Sequence, residues 1–124
     1  MVVLNVKELN QGIYRYLPLS HQLLFEFSED QIAGKIVDAV FRQPYPGDAS
    51  VTFIWTAIPY RMEWRYHLAA HKVIAIDVGH VCQNLYLGAG TCAIAAYDQE
   101  ALDRLLRIDG KDEFSIYLSP VGKV

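Results

Sequence analysis

The run DVGHVCQNLYLGAGTCAIAAY, Asp77–Tyr97, decides how this chain is read. It passes from an apolar helix into a glycine-punctuated loop and then into a short, apolar, strand-like piece. Gly88 and Gly90 remove side chains where the helix is expected to end, which frees backbone N–H groups to face something flat or anionic. The same glycines would also serve a helix that simply stops, and spacing alone leaves both readings open. N-terminal to this run, from Arg61 onward, Ala70, Val73, Ile74, Asp77, Val81, Cys82 and Leu85 form a stripe at helical spacing. That helix is apolar around most of its circumference, which suits a buried central helix or a dimer helix.

Working outward, the remaining pattern is mixed. Met1–Val6 reads as a strand and Lys7–Gly12 as a turn. Ile13–Leu17 and Gln22–Phe27 flank Pro18-Leu19-Ser20 as a β-hairpin. Ser28 followed by Gln31 predicts a capping box, with Glu29 and Asp30 near the positive helix end. The helix it opens would bury Ile32, Ile36, Val37 and Val40 and stop before the breaker cluster Gln43–Gly47. Val51–Ile58 predicts a central strand covered on both faces. Asp98 can cap a short helix carrying Leu102, Leu105 and Leu106, ended by Asp109-Gly110, and Glu113–Val121 closes as a strand. The fold class is therefore α+β, in one domain over residues 1–124.

Composition narrows the function. A hydrophobic content of 52% with 20% charged residues belongs to a chain that builds a core. Eight tyrosines and two tryptophans add amphipathic bulk of the kind enriched at interfaces, which favours an oligomer. A net charge of −3 argues against a nucleic-acid surface. No stretch approaches the ~18 consecutive apolar residues of a membrane span, and the N-terminus lacks a signal-peptide pattern. Cys82 and Cys92 are too few for a disulfide framework or a zinc site, so a reducing cytoplasm is the expected compartment.

Other candidate chemistry is thin. His67 and His71 could present two imidazoles on one helix face, but no third ligand is convincingly spaced, and no metal is expected. Asp77 and His80 read as a buried polar pair that bonds internally or to nearby backbone. Cys92 reads as a small buried hydrophobe.

Several stretches in order carry a family resemblance: Trp64–Tyr66, Asp77–Leu87, Gly88–Asp98, Tyr117–Lys123 and the opening Val3–Tyr16. Together they resemble the nitroreductase superfamily, and within it the azoline-oxidase, SagB-type branch. The resemblance implies a sandwich of helices around an antiparallel sheet, with a long central dimer helix. It implies a homodimer holding FMN at the subunit interface, with hydride passing between NAD(P)H or a small-molecule substrate and the flavin. By the same resemblance, cofactor contacts fall on Gly90, Thr91, Ala93, Ile94, Ala95 and Ala96, with Lys123 a candidate for the phosphate. Backbone N–H groups near Ala95 and Ala96 would face the flavin ring and Ile94 would pack on it. No catalytic side chain is singled out.

The chain departs from that family pattern twice. It lacks the section that carries the Arg/Ser cluster gripping the FMN phosphate and a Pro-Ser loop at the flavin, so it reads as N-terminally truncated. Its central helix is also about one turn short between Leu87 and Gly88. Losing two charge-assisted hydrogen bonds to the phosphate removes ~3–6 kcal/mol of binding, which can turn a tight flavin site into a marginal one. Two functions follow. One is an FMN-dependent oxidoreductase, acting as a homodimer or with a separate polypeptide that supplies the missing half. The other is a truncated, non-catalytic dimer that binds flavin weakly or not at all.

Overall fold

Alternating β-branched, aromatic and polar residues set the sheet, and a computed structural model describing residues 1–122 shows how it closes. Five strands, β1 (Val2–Val3), β2 (Gly12–Leu17), β3 (Gln22–Phe27), β4 (Val51–Ala57) and β5 (Phe114–Val121), lie in the order β3-β2-β1-β4-β5. Every pairing is antiparallel. The β2–β3 hairpin forms where Ile13–Leu17 and Gln22–Phe27 predict it. The first strand is much shorter than Met1–Val6: Leu4 and Asn5 already turn away, both donating N–H to Ser50 O at 3.0 Å.

Helices cover the two faces unequally. On one face, α1 (Ile32–Ala39) and α5 (Gln99–Leu106) pack Ile32, Ile36, Leu102 and Leu105 onto Val2, Ile13, Ile94 and Leu118. Full burial of each such side chain contributes roughly 1.5–3 kcal/mol before entropy is counted. Strand alternation sends the neighbours of Leu118 the other way, toward a long helix, α4 (Ala70–Gly88). There Tyr117 Oη donates to Val78 O at 2.7 Å, and Cys82 Sγ lies 3.4 Å from Ser119 Oγ.

Several local readings are corrected. The capping box is not formed. Gln31 is itself the N-cap of α1, in the left-handed region (φ 54°) with no side-chain cap, so the helix opens at Ile32, beyond the reach of Ser28, while Glu29 pairs with Lys35 and with Arg107 Nη2. As expected, that helix ends before the proline cluster, where Phe41 and Arg42 both take positive φ. Gln43–Gly47 is not only a breaker, since Tyr45–Asp48 form a one-turn helix, α2, with Pro46 in its first turn, where a missing N–H is harmless. Arg107 (φ 58°), rather than Asp109-Gly110, ends α5.

The helical signal from Arg61 becomes two helices. The first, α3 (Tyr60–Tyr66), ends at His67 (φ 45°, ψ −125°), and a 3-10 turn over His67–Ala69 leads into α4. Most of α4 is open rather than buried: only Ala70, Ile74 and Cys82 are fully covered. Likewise β4 is paired with β5 along its length but with β1 only at Val51 and Thr52, and Phe53, Ile54 and Trp55 keep partial exposure.

Candidate functional site

Segment 89–97 leaves α4 without a left-handed residue. Ala89 still donates to Leu85 O at 2.8 Å and is itself already extended (φ −152°, ψ 149°), so the chain runs straight out along β5. Thr91 bridges to Val121, and its Oγ1 donates to Pro120 O at 2.7 Å. Ile94 exchanges both backbone bonds with Leu118, at 2.8 and 3.1 Å. The far end is tied down as well: Gln43 Nε2 donates to Ala96 O at 3.2 Å and Asp98 N–H to Ala39 O at 2.7 Å. Ala93 N–H donates to Tyr86 Oη at 2.6 Å, which holds the segment back against the helix it has just left.

The expected site residues therefore share one extended, pinned segment with different exposures. Ala93, Ala95 and Ala96 are exposed and carry the smallest possible side chains, so a flat ligand can approach their backbone. Among the described residues, the N–H groups of Ala95 and Ala96 have no protein acceptor. Gly90 is exposed at the start of the segment and Thr91 is anchored half-buried. Ile94 behaves differently. Its side chain is 5% exposed and belongs to the core with Ile32, Leu102 and Leu118, so it anchors the segment rather than offering a surface on which a ring can pack. Lys123 lies outside the described residues.

Two residues important to this geometry carried no signal in the sequence. Tyr86 acts across seven residues and Gln43 across fifty-three. No periodicity connects either of them to the segment. Partners that bond or bridge to it include Tyr86, Gln43, Leu118, Pro120 and Val121, and none of these is cationic.

The remaining candidates are placed plainly. Asp77 and His80 are exposed, not a buried pair, and His80 Nδ1 lies 2.9 Å from Ile76 O in its own helix. Cys92 is exposed rather than buried; Cys82 is the buried thiol. His67 and His71 share a shallow depression with Glu63 and Leu68. Among the described residues no three His, Cys, Asp or Glu side chains are grouped to hold a metal ion. No described helix is long and apolar enough to cross a membrane.

Between α4 and the sheet, Tyr117 has its hydroxyl pKa raised, by burial first and by Cys82 second. Trp55 bonds Ser119 Oγ through Nε1 at 3.0 Å and stacks with Phe53 at 17° and 6.1 Å. A large open cavity of about 1070 Å3 lies away from segment 89–97, between β2 and β4.

Comparison with known proteins gives a consistent result. The Nitroreductase family pattern matches residues 1–123. A Methanocaldococcus jannaschii protein named as a nitroreductase is 25% identical over 98% of this chain and 64% of its own length. A solved Anabaena variabilis structure, also named as a nitroreductase, superposes with a TM-score of 0.90 at 29% identity. It is covered over 97% of this chain and 26% of that one. A Ralstonia eutropha structure of the same description gives a TM-score of 0.74 at 22% identity, over 91% of this chain and 53% of that one. A chain of the E. coli microcin synthetase complex shares the fold at a TM-score of 0.68 and 17% identity, over 90% of this chain and 44% of that one. The chain thus spans less than two thirds of the length of each of these proteins.

Proposed function

The chain belongs to the nitroreductase family, and on that premise we propose that it is an FMN-dependent oxidoreductase of the nitroreductase type, of the azoline-oxidase, SagB-type branch. Residues 1–124 would form the C-terminal part of the family's usual domain, working as a homodimer in a reducing cytoplasm that keeps Cys82 and Cys92 as thiols. One observation carries the reading: the extended segment Gly90–Ala96 is pinned to β5 and exposes small residues whose amides at Ala95 and Ala96 are unbonded among the described residues. Such a segment fits the edge and face of a flat aromatic ring. Gly90, Thr91, Ala93, Ala95 and Ala96 would hold it through backbone, with Ile94 fixing the segment from the core side and Lys123 available to the phosphate. Bound flavin would supply the hydride chemistry, exchanging with NAD(P)H or a small organic substrate. The chain's own part is to position the ring and to present two N–H donors at its polar edge.

A second reading has its own support. The partners of the segment named above are uncharged, so a phosphate grip requires residues from elsewhere. Without them the chain would be a non-catalytic dimer that binds flavin weakly, or one that needs a second polypeptide. The dimer itself is supported by α4, whose outward Ile76 and Leu87 leave apolar surface open.

The deciding experiment is an absorbance spectrum of the purified chain before and after adding FMN and removing the excess by gel filtration. Retained flavin peaks near ~450 nm, at about one flavin per chain, support the first reading. A protein that stays colourless supports the second. Gly90→Val is expected to weaken flavin retention more than it lowers Tm, and unchanged retention would count against the segment.

A further inference from the structure

The helix α4, the strand β5 and segment 91–96 are tied to one another in a triangle, and one side of it is a single hydroxyl. α4 is tied to β5 by Tyr117 Oη, which donates to Val78 O at 2.7 Å, and by Cys82 Sγ, 3.4 Å from Ser119 Oγ. The segment is tied to the same strand by the two backbone bonds between Ile94 and Leu118 and by Thr91 Oγ1 on Pro120 O. The third side runs from the segment back to α4 and consists of Ala93 N–H donating to Tyr86 Oη at 2.6 Å. Three such ties hold the segment at a fixed angle, whereas the first two alone leave a hinge along β5.

The alternation of an extended chain explains what the third tie controls. Ile94 turns its N–H and C=O toward Leu118, so Ala93 and Ala95 turn theirs to the opposite edge. Those two amides lie about 6.6–7 Å apart, two residues along a strand. Ala93 N–H is taken by Tyr86, and Ala95 N–H has no acceptor among the described residues. Packing does little to fix this edge, because Ala93 and Ala95 are exposed methyl groups and Ile94 is buried between them. A segment that pivots on one buried side chain can roll about its long axis, which turns the Ala95 amide away from a ligand. The bond to Tyr86 opposes that roll from the outer edge. Gln43 Nε2, on Ala96 O at 3.2 Å, steadies the segment beyond the free amides, and Tyr86 holds it before them.

Tyr86 can do this at little cost to the fold. It stands in the last turn of α4, two residues before Gly88 closes the helix, and is 42% exposed. Removing its hydroxyl leaves the exposed Ala93 N–H to water instead of burying it unpaired, so the loss falls on the orientation of the segment.

We propose that Tyr86 is a positioning residue of the ligand site: its hydroxyl fixes the roll of residues 91–96 and so aims the N–H groups of Ala95 and Ala96 at the edge of a bound ring. The role rests on the reading of that ring as flavin, and it is confined to the ring side of the molecule.

The test compares Tyr86→Phe with the wild-type chain in two ways: residue-resolved amide exchange without flavin, and fluorescence titration with FMN and with riboflavin, which carries the same ring without the phosphate. In the variant the amides of Ala93 and Ile94 are both expected to exchange about tenfold or more faster, with Leu105 in α5 unchanged, because the whole segment opens locally. Affinity for FMN and for riboflavin should fall by the same factor, about tenfold, as expected for one lost tether acting at the shared ring. Faster exchange at Ala93 with Ile94 unchanged would overturn the proposal, since the hydroxyl would then cap one amide and position nothing. Equal acceleration at Leu105 would overturn it as well, by making Tyr86 a support of the fold as a whole. So would an affinity that is unchanged for both flavins, or lost for FMN alone. A wild-type chain that binds neither flavin sinks the flavin reading by itself, and the clamp then stands or falls on the exchange of Ile94.

Discussion

Two helices flank the same sheet and are built on opposite plans. α5 is short, with Leu102, Asp103 and Leu105 buried and Glu100 and Arg104 facing outward. α4 is more than twice as long and carries apolar residues on its outer as well as its inner side, yet it buries only Ala70, Ile74 and Cys82 and leaves Leu87 79% exposed. A helix whose polar face meets water is finished by its own chain. A helix with apolar residues on both sides is not, and its outer face asks for a further surface. The cost of breaking a contact should therefore appear as stability at α5 and as association at α4.

The largest effect is expected inside the finished half. Leu102→Ala removes a fully buried side chain between α1, α5 and the sheet and should cost ~2–5 kcal/mol in urea unfolding. A loss below about 1 kcal/mol would mean that this face is loosely packed and that the contrast with α4 is false. On the other helix, Leu87→Glu should leave the unfolding free energy of the dilute monomer within about 0.5 kcal/mol. In sedimentation runs it should weaken dimer formation about tenfold or more. Loss of monomer stability instead would place Leu87 in the fold.

Helix starts give a finer comparison. Asp98 Oδ1 accepts from Ala101 N–H at 3.0 Å, so Asp98→Ala should cost ~1 kcal/mol. Ser28→Ala, ahead of α1, should stay within about 0.5 kcal/mol because no side-chain cap forms there. Equal losses would restore the capping box. The smallest effect is a pH response in the turn after α5. Asp109 Oδ1 accepts from the N–H groups of Lys111, Asp112 and Glu113, which holds its carboxyl below the ordinary value of 3.8. A lowered folded-state pKa means that this stabilisation is complete above the ordinary value and is lost as pH falls through the lower one. Amide exchange at residues 111–113 should accordingly stay slow at pH 5 and quicken only below the ordinary aspartate range, whereas Asp109→Asn should quicken it at every pH.

Much of this was legible from local pattern. The hairpin followed from alternation, α5 from Asp98 and its leucines, and β5 from its β-branched and aromatic residues, because each depends on neighbours close in sequence. The readings that failed concern competition between distant groups. Ser28 and Gln31 form no capping box beside a Glu29 held by Lys35 and the distant Arg107, and the break at His67 sits inside an unbroken helical pattern. Within the candidate segment, the small residues Ala93, Ala95 and Ala96 were visible in the sequence. Their exposure, the inward turn of Ile94 and the clamps from Tyr86 and Gln43 were not, since they depend on where β5 and α1 lie in space.

By itself the sequence determined the fold class, the family and the order of the strands and the longer helices, since periodicity and motif order are properties of neighbours along the chain. Only the tertiary structure decided that α4 keeps an open apolar face and that the flavin-loop candidates run pinned along β5. Burial and strand register are relations between segments far apart in sequence, and they acquire values only once those segments are packed.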